Sequence, residues 1–291
     1  AVEAIEYMKS RLVEANSERI QGIETGDTTV VGVNRYVEAE ASPLTAGDEA
    51  IIVAAPAAEA DQIARLNAWR DSRDSAAVEA ALAALAEACK TGTNVMPASI
   101  AAAKAGATTG EWGDVVRKAF GQYRAPTGVS SAPSNRTEGL DEIREAVEVV
   151  STKLGSRIKF LVGKPGLDGH SNGAEQIASR ARDVGMDITY EGIRLTPSEI
   201  VEAARESGAH IVGLSILSGS HIPLIKDLIG QMRDAGRGDT PVIVGGSIPE
   251  VDADSLRAMG VAAVYTPKDF ELNRIMFDIV GLVDPDAIAA E

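Results

Sequence analysis

The stretch Lys164-Pro165-Gly166-Leu167-Asp168-Gly169-His170-Ser171-Asn172-Gly173 holds the residues whose types and spacing could do chemistry. Asp168 and His170 stand two apart, so a carboxylate can accept one ring N–H while the other imidazole nitrogen points outward as a metal ligand. Taken singly, Asp168 reads as a turn former and His170 as an ordinary loop side chain. The turn reading, however, leaves His170 unoriented. The stretch is not a phosphate loop, because it lacks a Gly-Lys-Ser/Thr ending and carries a histidine at its centre. His210 and His221 read as packing or capping groups, and Cys89, on an alanine-rich helical face, reads as a small core residue.

The elements that must position this turn alternate cleanly from residue 157 onward. Apolar strands are expected at Ile158 to Val162, Asp187 to Tyr190, Ile211 to Ser215, Val242 to Val244 and Ala263 to Tyr265. Helices are expected at Gly173 to Val184, Pro197 to Ser207, Ile222 to Ala235, Asp252 to Met259 and Phe270 to Leu282, with Gly185, Pro197, Gly208, Pro241, Gly260 and Pro267 at the junctions. Five strands alternating with helices predict an α/β fold, a doubly wound flavodoxin-like parallel sheet of order 2-1-3-4-5. Such a sheet binds its ligand at the switch between strands 1 and 3, beyond the carboxyl ends of the strands, where the Asp168/His170 turn falls.

The spacing of Asp168, His170 and Gly173 is similar to the signature of the cobalamin-binding domains of B12-dependent mutases and methionine synthase. Ser215-Ile216-Leu217 after the third strand and Gly245-Gly246 after the fourth stand where that family has its companion motifs. The resemblance implies that His170 replaces the dimethylbenzimidazole base below cobalt, and that the displaced nucleotide tail enters a slot lined by Ser215, Leu217, Gly245 and Gly246. It extends the expected cofactor contacts to Asp168, Gly169, Ser171, Asn172, Gly173, Ile177, Gly219, Tyr265 and Thr266. Gly245 and Gly246 are also read as turn formers. A β-branched residue at Gly246 is expected to block the slot while sparing the sheet, provided the backbone angles there permit a side chain.

The 291 residues, with 45% hydrophobic content, can bury a sizeable core and could hold two domains. A net charge of −15 argues against nucleic-acid and anionic-membrane partners. One cysteine, no secretory leader pattern and no long apolar run read as a cytoplasmic protein. Val2, Ile5, Met8, Leu12, Val13 and Ile20 recur at helical spacing from the first residues, without a cap or an initiator methionine, as in a chain cut from something longer. Thr28 to Asn34 reads as a short β-branched strand lacking neighbours. Residues 41 to 60, with Ser42-Pro43, Gly47, Pro56 and an apolar run at Ile51 to Val53, read as a connector, and Arg124 to Gly139, with Pro126, Gly128 and Pro133, as a hinge. Helical patterns are expected at about 57 to 90, 97 to 106 and 111 to 123.

The first helix and strand resemble the last helix and strand of the acyl-CoA-binding barrel in adenosylcobalamin-dependent acyl-CoA mutases. The run from Asn94 to Tyr123 resembles their interdomain segment. The implied organisation is a barrel remnant over 1–43, a helical linker over 44–150 and a cobalamin-binding domain over 151–291. "YEGIRLTPSEIV", "VGLSILSGSHIPL" and "YTPKDFELNRIM" resemble ethylmalonyl-CoA mutases more than methylmalonyl-CoA mutases. The resemblance therefore implies adenosylcobalamin as cofactor and an acyl-CoA substrate held by a barrel lying mostly outside this chain. It also implies a homodimer for the whole enzyme and a first third that is mobile or pairs with another copy. A methylmalonyl-CoA mutase or a stand-alone corrinoid carrier for methyl transfer are the alternatives. A carrier is expected to have a compact helical bundle ahead of its sheet.

Overall fold

The amphipathic run at the N-terminus forms one long helix, α1 (Val2–Glu24), in a computed structural model that describes residues 2–37, 55, 57–129 and 140–287. The connector features at Ser42-Pro43, Gly47, Ile51 to Val53 and Pro56, and most of the hinge, including Pro133 and Gly139, lie outside the described residues. Thr28 to Asn34 is not a strand. Val30 to Arg35 forms a tight turn around Asn34, whose Oδ1 accepts the Val30 N–H at 2.8 Å and whose Nδ2 donates to Ile23 O and Thr28 O, each at 2.8 Å. One polar side chain satisfies three backbone groups there, which outweighs the β propensity of the valines.

The chain divides into two units, Ala39–Tyr123 on the one hand and Ala1–Glu38 with Arg124–Glu291 on the other. The first contains α2 (Ala58–Ser72), α3 (Ser75–Thr91), α4 (Val95–Ala105) and α5 (Thr109–Phe120). The expected single helix over 57 to 90 is broken by Asp74, whose side chain caps α3 by accepting the Ala77 N–H. Val78, Leu85 and Cys89 of α3 are buried. Thr108 and Glu111 form a reciprocal capping box at the start of α5, and Glu111 also takes both terminal nitrogens of Arg73 at 2.8 and 2.5 Å.

The second unit is the sheet. After α6 (Asp141–Leu154) come β1 (Lys159–Gly163), α7 (Asn172–Asp183), β2 (Asp187–Tyr190), α8 (Pro197–Ser207), β3 (Ile211–Ile216) and α9 (His221–Asp234). They are followed by β4 (Val242–Gly246), α10 (Glu250–Met259), β5 (Ala263–Tyr265) and α11 (Leu272–Val283). All pairings are parallel and the order is β2-β1-β3-β4-β5. Alternate strand residues feed two cores. Leu161, Val212, Leu214, Val242 and Val244 pack with α8, α9 and α10, whereas Phe160, Val162, Ile211 and Ile243 pack with α6, α7 and α11. Burial on both faces explains why these strands read as continuous apolar runs.

Two features depart from the expected organisation. Ile143, Val147 and Val150 bury α6 against the sheet core, and the sheet unit, besides Ala1–Glu38, takes in Arg124 onward, including residues assigned from sequence to the linker. In addition, α1 packs on α7, burying Val13 and Ile23, while Ile5, Met8 and Leu12 stay exposed. No helix among the described residues is long and apolar enough to cross a membrane.

Candidate functional site

The Lys164–Asn172 segment leaves β1 at the carboxyl edge of the sheet and is pinned to the loop after β2, where Leu195 N–H donates to Lys164 O at 3.0 Å and Gly166 N–H donates to Leu195 O at 2.9 Å. Pinning turns Lys164 inward. Its side chain is 0% exposed, and Nζ donates to Asp168 Oδ2 at 2.7 Å and to Ser215 O at 3.3 Å.

Asp168, 4% exposed, is the hub of the loop. Oδ2 also accepts the Leu217 N–H at 3.1 Å, and Oδ1 accepts the His170 backbone N–H at 3.0 Å and faces His170 Nδ1 at 2.6 Å. Burial alone would raise the Asp168 pKa, but hydrogen bonds from Lys164, His170 and Leu217 outweigh it and hold the carboxyl well below the usual range. An ionised carboxylate only accepts, so Nδ1 of His170 carries a proton. With Nδ1 carrying the proton, a neutral ring has its lone pair on Nε2, and the ring is 79% exposed. The order Lys164, Asp168, His170 thus anchors one nitrogen of an exposed imidazole and leaves the other free to ligate. No group of three or more His, Cys, Asp or Glu among the described residues could hold a bare metal ion.

Beside this loop a cavity of about 270 Å³ opens on the α7 and α11 face. Gly173, Ile177, Ser215, Leu217, Gly245, Gly246, Tyr265 and Thr266, all named from sequence, line it. Asp168, Gly169, His170, Ser171 and Asn172 lie on the neighbouring loop and do not line it; Gly219 does not reach it either. The remaining walls are mostly apolar, Phe160, Val162, Ile243, Leu272 and Ile275 among them. The Thr266 hydroxyl is already engaged, donating to Asp269 Oδ2 at 3.1 Å, and Tyr265 donates to Asp278 at 3.3 Å. Burial, then the charge of Asp278, pushes the Tyr265 pKa up, so the phenol stays protonated.

The two glycines of β4 differ in kind. A Cβ on Gly245 would touch Tyr265 Cβ at an ordinary 3.8 Å, but one on Gly246 would lie 1.8 Å from Ile216 O, in the backbone of β3. The expectation that a side chain at Gly246 spares the sheet is therefore corrected: β3 and β4 pair only with glycine there. Sequence reasoning gave no role to Lys164, although it stands four residues before Asp168, nor to Ile20 of α1, which lines the cavity. His210 and His221 are engaged elsewhere. His210 Nδ1 accepts the Lys159 N–H at 3.0 Å, and the Nε2 of buried His221 meets Asp252 at 2.9 Å.

Residues 1–122 match the family model for methylmalonyl-CoA mutase, and residues 158–270 match that of the B12 binding domain. An ethylmalonyl-CoA mutase of Cereibacter sphaeroides is 70% identical over 291 residues, the whole of this chain and 44% of that protein. One from Methylorubrum extorquens is 52% identical over 98% of this chain and 41% of its own length. A methylmalonyl-CoA mutase of Cereibacter sphaeroides is 35% identical over 89% of this chain and 36% of its own. The chain thus spans less than half the length of the curated relatives it matches.

Proposed function

We propose that this chain, whose residues 1–122 match the methylmalonyl-CoA mutase model and which is 70% identical to an ethylmalonyl-CoA mutase, is the cofactor-holding portion of an adenosylcobalamin-dependent carbon-skeleton mutase acting on ethylmalonyl-CoA to give methylsuccinyl-CoA. The observation that carries the reading is the Lys164–Asp168–His170 relay, which ends in a free Nε2 beside an apolar cavity at the carboxyl edge of the sheet.

The residues present fit the cofactor. His170, an exposed imidazole held at Nδ1 by Asp168, would hold the cobalt of the cofactor, whose corrin would bring the other ligands. The cavity of about 270 Å³ exceeds the ~150 Å³ that accommodates a benzene ring, so a displaced benzimidazole base has room. Gly173 and Gly245 line the cavity without side chains. Adenosylcobalamin, when bound, supplies a cobalt–carbon bond that breaks homolytically. The chain's own residues bind and orient. Asp168 fixes the His170 tautomer, Lys164 keeps Asp168 ionised, and the apolar walls exclude water from the tail.

The preference for ethylmalonyl-CoA is supported by 70% identity to an ethylmalonyl-CoA mutase against 35% to a methylmalonyl-CoA mutase of the same organism. The family resemblance assigns the acyl-CoA pocket to a barrel, with residues 1–43 as its end, 44–150 as a linker whose last helix, α6, packs on the sheet, and 151–291 as the cobalamin domain. It also supports a homodimeric whole enzyme, and the single cysteine supports a cytoplasmic one. A helical unit ahead of the sheet would also suit a stand-alone corrinoid carrier. Residues 1–122, which include that unit, nevertheless match the mutase model.

The test is to assay the full-length protein and this chain with adenosylcobalamin and either ethylmalonyl-CoA or methylmalonyl-CoA. Turnover by the full-length protein with higher kcat/KM for ethylmalonyl-CoA, and none by this chain, is expected. Turnover by the chain alone would overturn the assignment of substrate binding to the barrel, and a preference for methylmalonyl-CoA would overturn the substrate.

A further inference from the structure

Helix α7 carries three polar side chains that are 3% exposed each, Glu175, Gln176 and Arg180. Buried polar groups need partners, and α1 supplies one to each. Lys9 Nζ reaches Glu175 Oε1 at 2.6 Å, Gln176 Nε2 donates to Val13 O at 3.1 Å, and Arg180 Nη2 donates to Glu24 Oε2 at 3.2 Å. The other oxygen of Glu24 accepts the Leu272 N–H at 2.7 Å, the first residue of α11. These contacts run from Lys9 to Glu24 and lay that part of α1 across the two helices that flank the cavity. Ile20 sits between Val13 and Glu24, on the same face, and lines the cavity.

We propose that α1 is a wall of the tail cavity and that Ile20 is a contact residue for the nucleotide tail of cobalamin, an inference that rests on the cobalamin reading above. An N-terminal segment matched to the mutase family, and not only the sheet domain, then helps to select the cofactor's lower ligand arm. Docking of α1 and occupation of the cavity favour one another, because the occupant gains an apolar wall where α1 is seated.

The experiment uses this chain with two probes, cyanocobalamin and cobinamide, which has the corrin without the nucleotide tail. Ile20→Trp fills part of the cavity and is expected to weaken cyanocobalamin binding at least tenfold with an unchanged circular-dichroism spectrum. Independently, alkylation of the thiol introduced by Ile20→Cys is expected to slow at least tenfold with saturating cyanocobalamin, and to change less than twofold with cobinamide; the native Cys89 is buried. Wild-type affinity in Ile20→Trp, no protection by cyanocobalamin, or equal protection by both probes would overturn the inference. Failure of the wild-type chain to bind cyanocobalamin at all would instead overturn the cobalamin reading on which it rests.

Discussion

Replacing Asp168 by alanine tests the relay without any cofactor present. Lys164 is fully buried, and the recorded partners of its ammonium are Asp168 at 2.7 Å and the Ser215 carbonyl at 3.3 Å. Removing the carboxylate leaves a buried charge with one neutral acceptor, and breaking such a pair from one side costs about 3–5 kcal/mol. The N–H groups of Leu217 and His170 add little to this, because they lie in an exposed loop where water can replace the lost acceptor. For a unit of this size each kcal/mol lowers Tm by about 2–4 °C, so the expected fall is about 6–20 °C at pH 7. The double variant Lys164→Met/Asp168→Ala should regain most of it, since neither charge then remains. The pH dependence supplies a sign. Asp168 is depressed in the folded state, so its contribution is complete above the ordinary carboxylate pKa of about 4 and is lost as pH falls toward the folded value. Thermal scans by circular dichroism from pH 7 to pH 3 should therefore show a steeper acid limb in the wild type than in Asp168→Ala. A single variant within about 2 °C of wild type, with the same acid limb, would refute a buried Lys164–Asp168 pair as the anchor of His170.

The glycine pair separates cavity from sheet: Gly245→Val should leave a cooperative unfolding transition and weaken cyanocobalamin binding at least tenfold, whereas Gly246→Ala should lower Tm sharply through its clash with Ile216 O. Unchanged affinity in the first, or an unchanged Tm in the second, would remove that distinction. His210 should make the sheet unit acid-sensitive near neutrality. Burial, then the charges of Lys159 and Arg237, lowers its pKa, and Nδ1 accepts a backbone N–H only when deprotonated. Its stabilisation is present above the unfolded value of about 6.5 and is lost as pH falls through the folded one, so His210→Gln should flatten the Tm profile below about pH 6.5. An unaltered profile would contradict this.

The sheet was readable because punctuation and burial agree. Thr196, Pro197 and Glu199 open α8, Gly208 closes it, and the observed bounds are the expected ones. The Asp168/His170 turn and the glycines of β4 were readable because they end strands, where an open α/β sheet holds its ligand. What was lost depends on distant partners or on a single polar side chain. Asn34 folds a valine-rich run into a turn, and Asp74 interrupts an alanine-rich helix without glycine or proline. In α6, Ile143, Val147 and Val150 have helical spacing, but the proline and serine loop before them drew the whole segment into the linker. The helices α2 to α5 form a unit of their own where the sequence suggested a helical linker. The first helix was seen as amphipathic, yet its docking rests on pairs such as Lys9 with Glu175, which no local pattern reveals. Lys164 stood in the motif, but its burial comes from the pinning of Pro165 against Leu195, which is tertiary.

The central claim, that His170 ligates cobalt with the nucleotide base displaced, is tested most directly by electron paramagnetic resonance of this chain loaded with cobalamin in the cob(II) state, its base nitrogens labelled with ¹⁵N. Superhyperfine coupling to an unlabelled ¹⁴N nucleus, lost in His170→Ala, is the expected result. Coupling to the ¹⁵N of the base in the wild-type chain would contradict the account.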